Sequence, residues 1–145
     1  MRTRIYFGFA IRATAGIDGN GQKDTCVALG GHLKQYGDVL SEGLMGKSSS
    51  GDLNSEHAYN RDLDWLRNSD FAVFETSVPS IGVGYEVRDA EVWNIPVLCL
   101  HRNQDGKRLS AMIEGNPNPT IVKYDTLDQA RAAIDLFFGR ALRKT

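Results

Sequence analysis

The run Ser77-Val78-Pro79-Ser80-Ile81-Gly82-Val83-Gly84-Tyr85-Glu86 sets hydroxyls, paired glycines and a carboxylate where an apolar stretch gives way to a helical pattern. A Ser/Gly turn between strand and helix presents backbone N–H groups and the positive end of a helix dipole, an arrangement suited to an anion. Glycines at this spacing also serve simple turns and close helix packing, so the run alone leaves both readings open. Glu86 falls in or near the first turn of that helix, where the dipole favours a carboxylate, and is therefore expected to be ionised at neutral pH. Facing a strand-end crevice, an ionised carboxylate can attack an electrophilic carbon; otherwise it only complements the helix end.

A second carboxylate, Asp62, lies between Tyr59 and Leu66 at spacings of three and four, which puts it on a helix face expected to pack inward. Two carboxylates in different environments can divide nucleophile and acid roles. The other reading is an exposed position on a helix of different phase. Tyr6 and Arg12 bracket the end of the first apolar run and the opening of its loop. Arginine matches a phosphate through paired hydrogen bonds, and a strand-end tyrosine can offer its hydroxyl to a carboxylate or a sugar. A core aromatic and a solvated loop cation are the plain alternatives. Ser110, just after Lys107-Arg108-Leu109, adds a hydroxyl beside positive charge.

Positioning these groups requires a scaffold, and the chain alternates short apolar runs with helix-length amphipathic segments, the pattern of βαβ units. Strands are expected over 5–10, 38–40, 71–74, 97–101 and 120–124, and helices over 23–36, 55–68, 83–94 and 127–142, with a short helical turn over 109–114. Thr126 and Gln129 fit a capping box before the last helix, and Pro96 is expected to stop the third. Near-continuous apolarity suits parallel strands covered on both faces. The expected fold is a three-layer α/β sandwich of Rossmann/flavodoxin-like type around a five-stranded, mainly parallel sheet. Such sheets bind ligands beyond the carboxyl ends of their strands, where Gly16, Gly19, Gly21, Gly43, Gly46, Gly51, Gly82 and Gly84 concentrate.

With 145 residues, the chain is expected to form one domain, 1–145, with a single core. No run approaches the ~20 apolar residues of a membrane span, and the opening residues lead into a strand-like pattern, so a soluble cytoplasmic protein is expected. A formal net charge of -1 argues against a broad footprint on polymeric nucleic acid and favours a small partner. Cys26, Cys99 and the histidines 32, 57 and 101 lack metal-ligand spacing, so no metal and no cofactor are expected.

Taken together, Tyr6-Phe7-Gly8-Phe9-Ala10-Ile11-Arg12, Asp62-Leu63-Asp64-Trp65-Leu66, Pro79-Ser80-Ile81-Gly82-Val83-Gly84-Tyr85-Glu86 and Leu109-Ser110-Ala111-Met112-Ile113 resemble, in order and spacing, the motifs of the 2'-deoxynucleoside 5'-phosphate N-hydrolases, a branch of the nucleoside 2-deoxyribosyltransferase superfamily. The resemblance implies cleavage of the N-glycosidic bond of a deoxynucleoside monophosphate to free base and 2-deoxyribose 5-phosphate. Glu86 matches the nucleophile, Asp62 the carboxylic residue near the base, and Tyr6 the tyrosine that orients the nucleophile and crowds the 2' position. Arg12, Ser80, Gly82 and Ser110 match positions that hold the 5'-phosphate. The counterpart of Ser110 comes from a neighbouring subunit, which implies a homodimer.

The first motif departs from the family's usual Gly-Ser before Ile-Arg, since Phe9 and Ala10 stand there. Loss of one hydrogen bond to a charged group costs about 1.5–3 kcal/mol unless another donor replaces it. Phe9 is expected to reshape the sugar or base pocket. Two other activities suit the same residues: a deoxyribosyltransferase, in which a second base intercepts the intermediate, and a nucleotide-binding module without catalysis.

Overall fold

The computed structural model describes residues 2–11, 21–41 and 54–143. Five strands, β1 (Arg4–Gly8), β2 (Asp38–Val39), β3 (Phe71–Glu75), β4 (Val97–Arg102) and β5 (Thr120–Tyr124), alternate with helices α1 (Gln22–Leu33), α2 (Ser55–Arg67), α3 (Ile81–Val92), α4 (Ala111–Glu114) and α5 (Leu127–Arg143). Every strand pair is parallel, in the order β2-β1-β3-β4-β5. The order reverses between β1 and β3, the position where doubly wound sheets open a ligand crevice.

Alternation along β1 sorts its side chains between two cores. Ile5, Phe7 and Phe9 join Cys26 and Leu29 of α1 and Ile134 and Phe138 of α5 on one face. Tyr6 points to the other face, with Leu66 of α2, Val83 and Val87 of α3, and Leu109 and Ile113 around α4. Gly8 is required between these layers. A Cβ there would lie 2.5 Å from the Phe74 ring and 3.2 Å from the Tyr6 ring, so a side chain would force the Phe74 ring to move and crowd the tyrosine.

The helix ends follow their sequences closely. Thr126 Oγ1 accepts from the Gln129 N–H and Gln129 Oε1 accepts from the Thr126 N–H, both at 3.2 Å, closing the expected capping box. Asn54 caps α2 by accepting from the His57 N–H at 2.8 Å. The stop of α3 differs from expectation. Asn94 adopts a left-handed φ of 57°, and the Ile95 N–H donates to Ala90 O while the Asn94 N–H donates to Glu91 O. This Schellman closure ends the helix before Pro96 is reached.

Among the described residues, no helix is long and apolar enough to cross a membrane. Both cysteines are buried free thiols. Burial pushes Cys26 upward and Cys99 up to about 12, which keeps both unreactive at neutral pH.

Candidate active site

Helix α3 springs from β3 through a short segment that β4 pins. The Thr76 N–H and hydroxyl both donate to Leu100 O, and the Ser77 hydroxyl accepts from the Arg102 N–H at 2.7 Å. Glu75, fully buried, accepts from the Ser77 N–H at 2.6 Å and from the Tyr124 hydroxyl. Glu75 therefore fixes where the α3 approach begins, a role that the apolar run it ends does not announce. Ser80 then caps α3, its Oγ accepting from the Val83 N–H at 3.2 Å.

Glu86 occupies the second turn of α3, and no acidic residue lies in the first. The helix dipole acts mainly within its terminal turn, so it does not set the charge of this carboxyl. Burial does. It raises Glu86 from an ordinary 4.5 to about 8; the charges of Asp62 and Asp89 push the same way, and a hydrogen bond from Tyr6 opposes them. The expectation of an ionised Glu86 at neutral pH is thus reversed in the free protein. Tyr6, 2% exposed on β1, donates its hydroxyl to Glu86 Oε2. Burial first, and then the neighbouring Glu86, raises the phenol well above its usual range, so it remains a donor.

Asp62 is on α2, across from Glu86, with its side chain 21% exposed. The inward-facing reading holds for Asp62 and for Leu66, which is fully buried, but Tyr59 is 53% exposed and meets the ring of Tyr85 edge-on at 6.4 Å. Sequence spacing does not single out Arg61, yet its Nε donates to Asp62 Oδ1 at 2.9 Å and its guanidinium lies 5.0 Å from the Trp65 ring. Two carboxyls, a phenol and a guanidinium thus converge from β1, α2 and α3.

Ser80 and Ser110 line one groove of about 1180 Å³ between α3 and α4, with Ile81, Arg88, Arg108 and Met112. Ser110 caps α4, accepting from the Met112 N–H at 3.3 Å. Gly82 lies in the first turn of α3, where a Cβ would meet only Ser80 Oγ at 3.7 Å; its lack of a side chain leaves the helix end open to approach. Phe9 and Ala10 are buried, and Phe9 packs 5.2 Å from the Phe7 ring, on the opposite sheet face from Tyr6. Arg12 lies outside the described residues. Among the described residues, no group of three or more His, Cys, Asp or Glu is arranged to hold a metal.

No family model matches the chain. The sheet and helices superpose on a CMP N-glycosidase of Clostridium botulinum with a TM-score of 0.68, covering 93% of this chain and 99% of that one at 15% identity. A 2-deoxyribosyltransferase of Bacillus psychrosaccharolyticus gives a TM-score of 0.55 at 14% identity, covering 89% and 90%. At such identities the likeness is one of fold. Sequence relatives are nearer. The chain is 35% identical over 145 residues to a 5-hydroxymethyl-dUMP N-hydrolase of Tetraodon nigroviridis, covering 94% of this chain and 97% of that protein. It is 44% identical over 111 residues to a Trichoplax adhaerens protein assigned as a 2'-deoxynucleoside 5'-phosphate N-hydrolase 1, covering 74% of this chain and 76% of its relative. With two such relatives above 30% identity over most of its length, the chain belongs to the 2'-deoxynucleoside 5'-phosphate N-hydrolase family.

Proposed function

We propose that this protein hydrolyses the N-glycosidic bond of 2'-deoxynucleoside 5'-monophosphates, releasing free base and 2-deoxyribose 5-phosphate. The observation that carries the reading is the Tyr6–Glu86 hydrogen bond facing Asp62 at the strand-order reversal. Tyr6 holds Glu86 Oε2, which leaves Oε1 to attack C1' as the C1'–N bond breaks. Asp62 gives a proton to the departing nitrogen. Water then attacks C1' of the glycosyl-enzyme, Asp62 takes its proton, and Glu86 is released. Burial holds the proton on Glu86 up to about 8 in the free protein, so the attacking form is the one in which Glu86 has been ionised. Ser80 and the open amides near Gly82 receive the 5'-phosphate, with Arg12 and Ser110 as further donors, and the Tyr6 ring occupies the space a 2'-hydroxyl would need.

A chromatographic time course tests the reading. Free base is expected from deoxynucleoside monophosphates but not from unphosphorylated nucleosides or ribonucleotides. A new nucleoside appearing only with an added acceptor base would replace hydrolysis by transfer. Nucleotide-dependent thermal stabilisation without any product would leave a binding module.

The protein is proposed to act as a homodimer in which Ser110 of one copy completes the phosphate site of the other. Ile81 is 94% exposed and Met112 85% exposed at the rim of the groove that holds Ser80 and Ser110, an apolar surface suited to burial against a second copy. Met112→Glu is expected to give a monomer by sedimentation velocity and to cut turnover by about tenfold or more, the cost of one charged hydrogen bond. A wild-type monomer at full activity would overturn the dimer.

A further inference from the structure

We propose that Arg61 is a positioning residue, which holds Asp62 in the orientation needed to protonate the leaving base. The proposal rests on the hydrolase reading above and extends it to a residue outside the matched motifs. Adjacent residues on a helix point about 100° apart and do not normally face each other. For Arg61 Nε to come within 2.9 Å of Asp62 Oδ1, the arginine must fold across the surface of α2 instead of extending into water. It does so, and both side chains are only 21% exposed.

Two contacts keep it there. The Trp65 ring, one helical turn on, lies 5.0 Å from the guanidinium and is itself packed against the core shared by Tyr6 and Val87. Asp62 supplies the second contact through Oδ1, which leaves Oδ2 for a ligand. The charges of Asp62 and Arg61 both act on the Tyr6 phenol, and those of Asp62 and Asp89 act on Glu86. Arg61 is the cation hydrogen-bonded to Asp62. A planar guanidinium held between the Trp65 ring and Asp62 Oδ1 fixes direction, which a flexible ammonium does less well, and its Nε–H bond to Oδ1 allows the proton to be carried on Oδ2.

The test must separate proton delivery from simple support of α2. Wild type, Arg61→Gln and Arg61→Lys are compared on 5-hydroxymethyl-dUMP and on 5-fluoro-dUMP, whose base leaves as a better-stabilised anion and depends less on a proton. Arg61→Gln is expected to lower kcat about tenfold or more on the first substrate and less than about threefold on the second, with KM little changed. Arg61→Lys recovers part of the difference. Equal losses on both substrates, or a loss confined to KM, would overturn the proposal and leave Arg61 a helix-stabilising residue. If Arg61→Gln does not fold, the Arg61→Lys substrate ratio decides: a ratio unchanged from wild type overturns the proposal. Failure of the wild type to release base from either substrate would instead sink the hydrolase reading and this inference with it.

Discussion

Glu86→Gln is expected to abolish base release, by at least about a thousandfold, while raising thermal stability above neutral pH. The loss follows from removal of the attacking oxygen; residual turnover after deletion of a nucleophile comes only from binding and electrostatics. The gain follows from linkage. In the folded protein burial raises Glu86 to about 8 from 4.5, so between those values the folded state binds more protons than the unfolded one. Its contribution to stability is full below about 4.5, falls as pH rises, and is lost once pH passes about 8. Glutamine keeps an oxygen for the Tyr6 hydroxyl and has no charge to desolvate. The difference in Tm between variant and wild type should therefore grow from pH 5 to pH 9, corresponding to a few kcal/mol at the alkaline end. Scanning calorimetry across that range measures it, and mass spectrometry should show a glycosyl adduct on wild type alone. Undiminished turnover would remove Glu86 from the reaction. A pH-independent Tm difference would mean that the carboxyl is not buried as described.

The same residue shows where sequence and structure part. The βα order is legible because short, near-continuous apolar runs and capped amphipathic segments are local signals; β5 begins and ends where the run Thr120–Tyr124 does. Charge is not local. Proximity to a helix start suggested an ionised Glu86, but depth beneath α2 and β1 decides its proton affinity, and depth depends on packing between segments far apart in the chain. Parity along β1 could have separated Tyr6 from Phe9, since residues three apart on a strand face opposite sides. Arg61 is hidden for a different reason: neighbours on a helix diverge, and it is the contact with the Trp65 ring, one turn on, that helps to turn this arginine back towards Asp62. The groove shared by Ser80 and Ser110 is built from two helix caps, which the sequence shows singly but not together.

Tyr6→Phe is expected to lower kcat/KM by about one to two decades near neutral pH and to move its acid limb upward. Glu86 must be ionised to attack, so kcat/KM rises with pH through about 8 in the wild type. The Tyr6 hydroxyl favours the ionised form of Glu86 and is the one contribution there that lowers its proton affinity. Removing it strengthens the hold of Glu86 on the proton. Glu86 then ionises at higher pH, and below that limb a smaller share of the protein has Glu86 free to attack. A charged hydrogen bond of this kind contributes about 1.5–3 kcal/mol, which sets the expected loss at one to two decades. Both effects act in one direction: the loss is greatest below the limb and smaller above it, where Glu86 is ionised in both proteins. A lower plateau with an unmoved limb would make the hydroxyl a packing feature of the sugar site. A limb moved downward would contradict the assigned effect of the hydroxyl, because loss of a donor to a carboxylate raises that carboxyl's proton affinity.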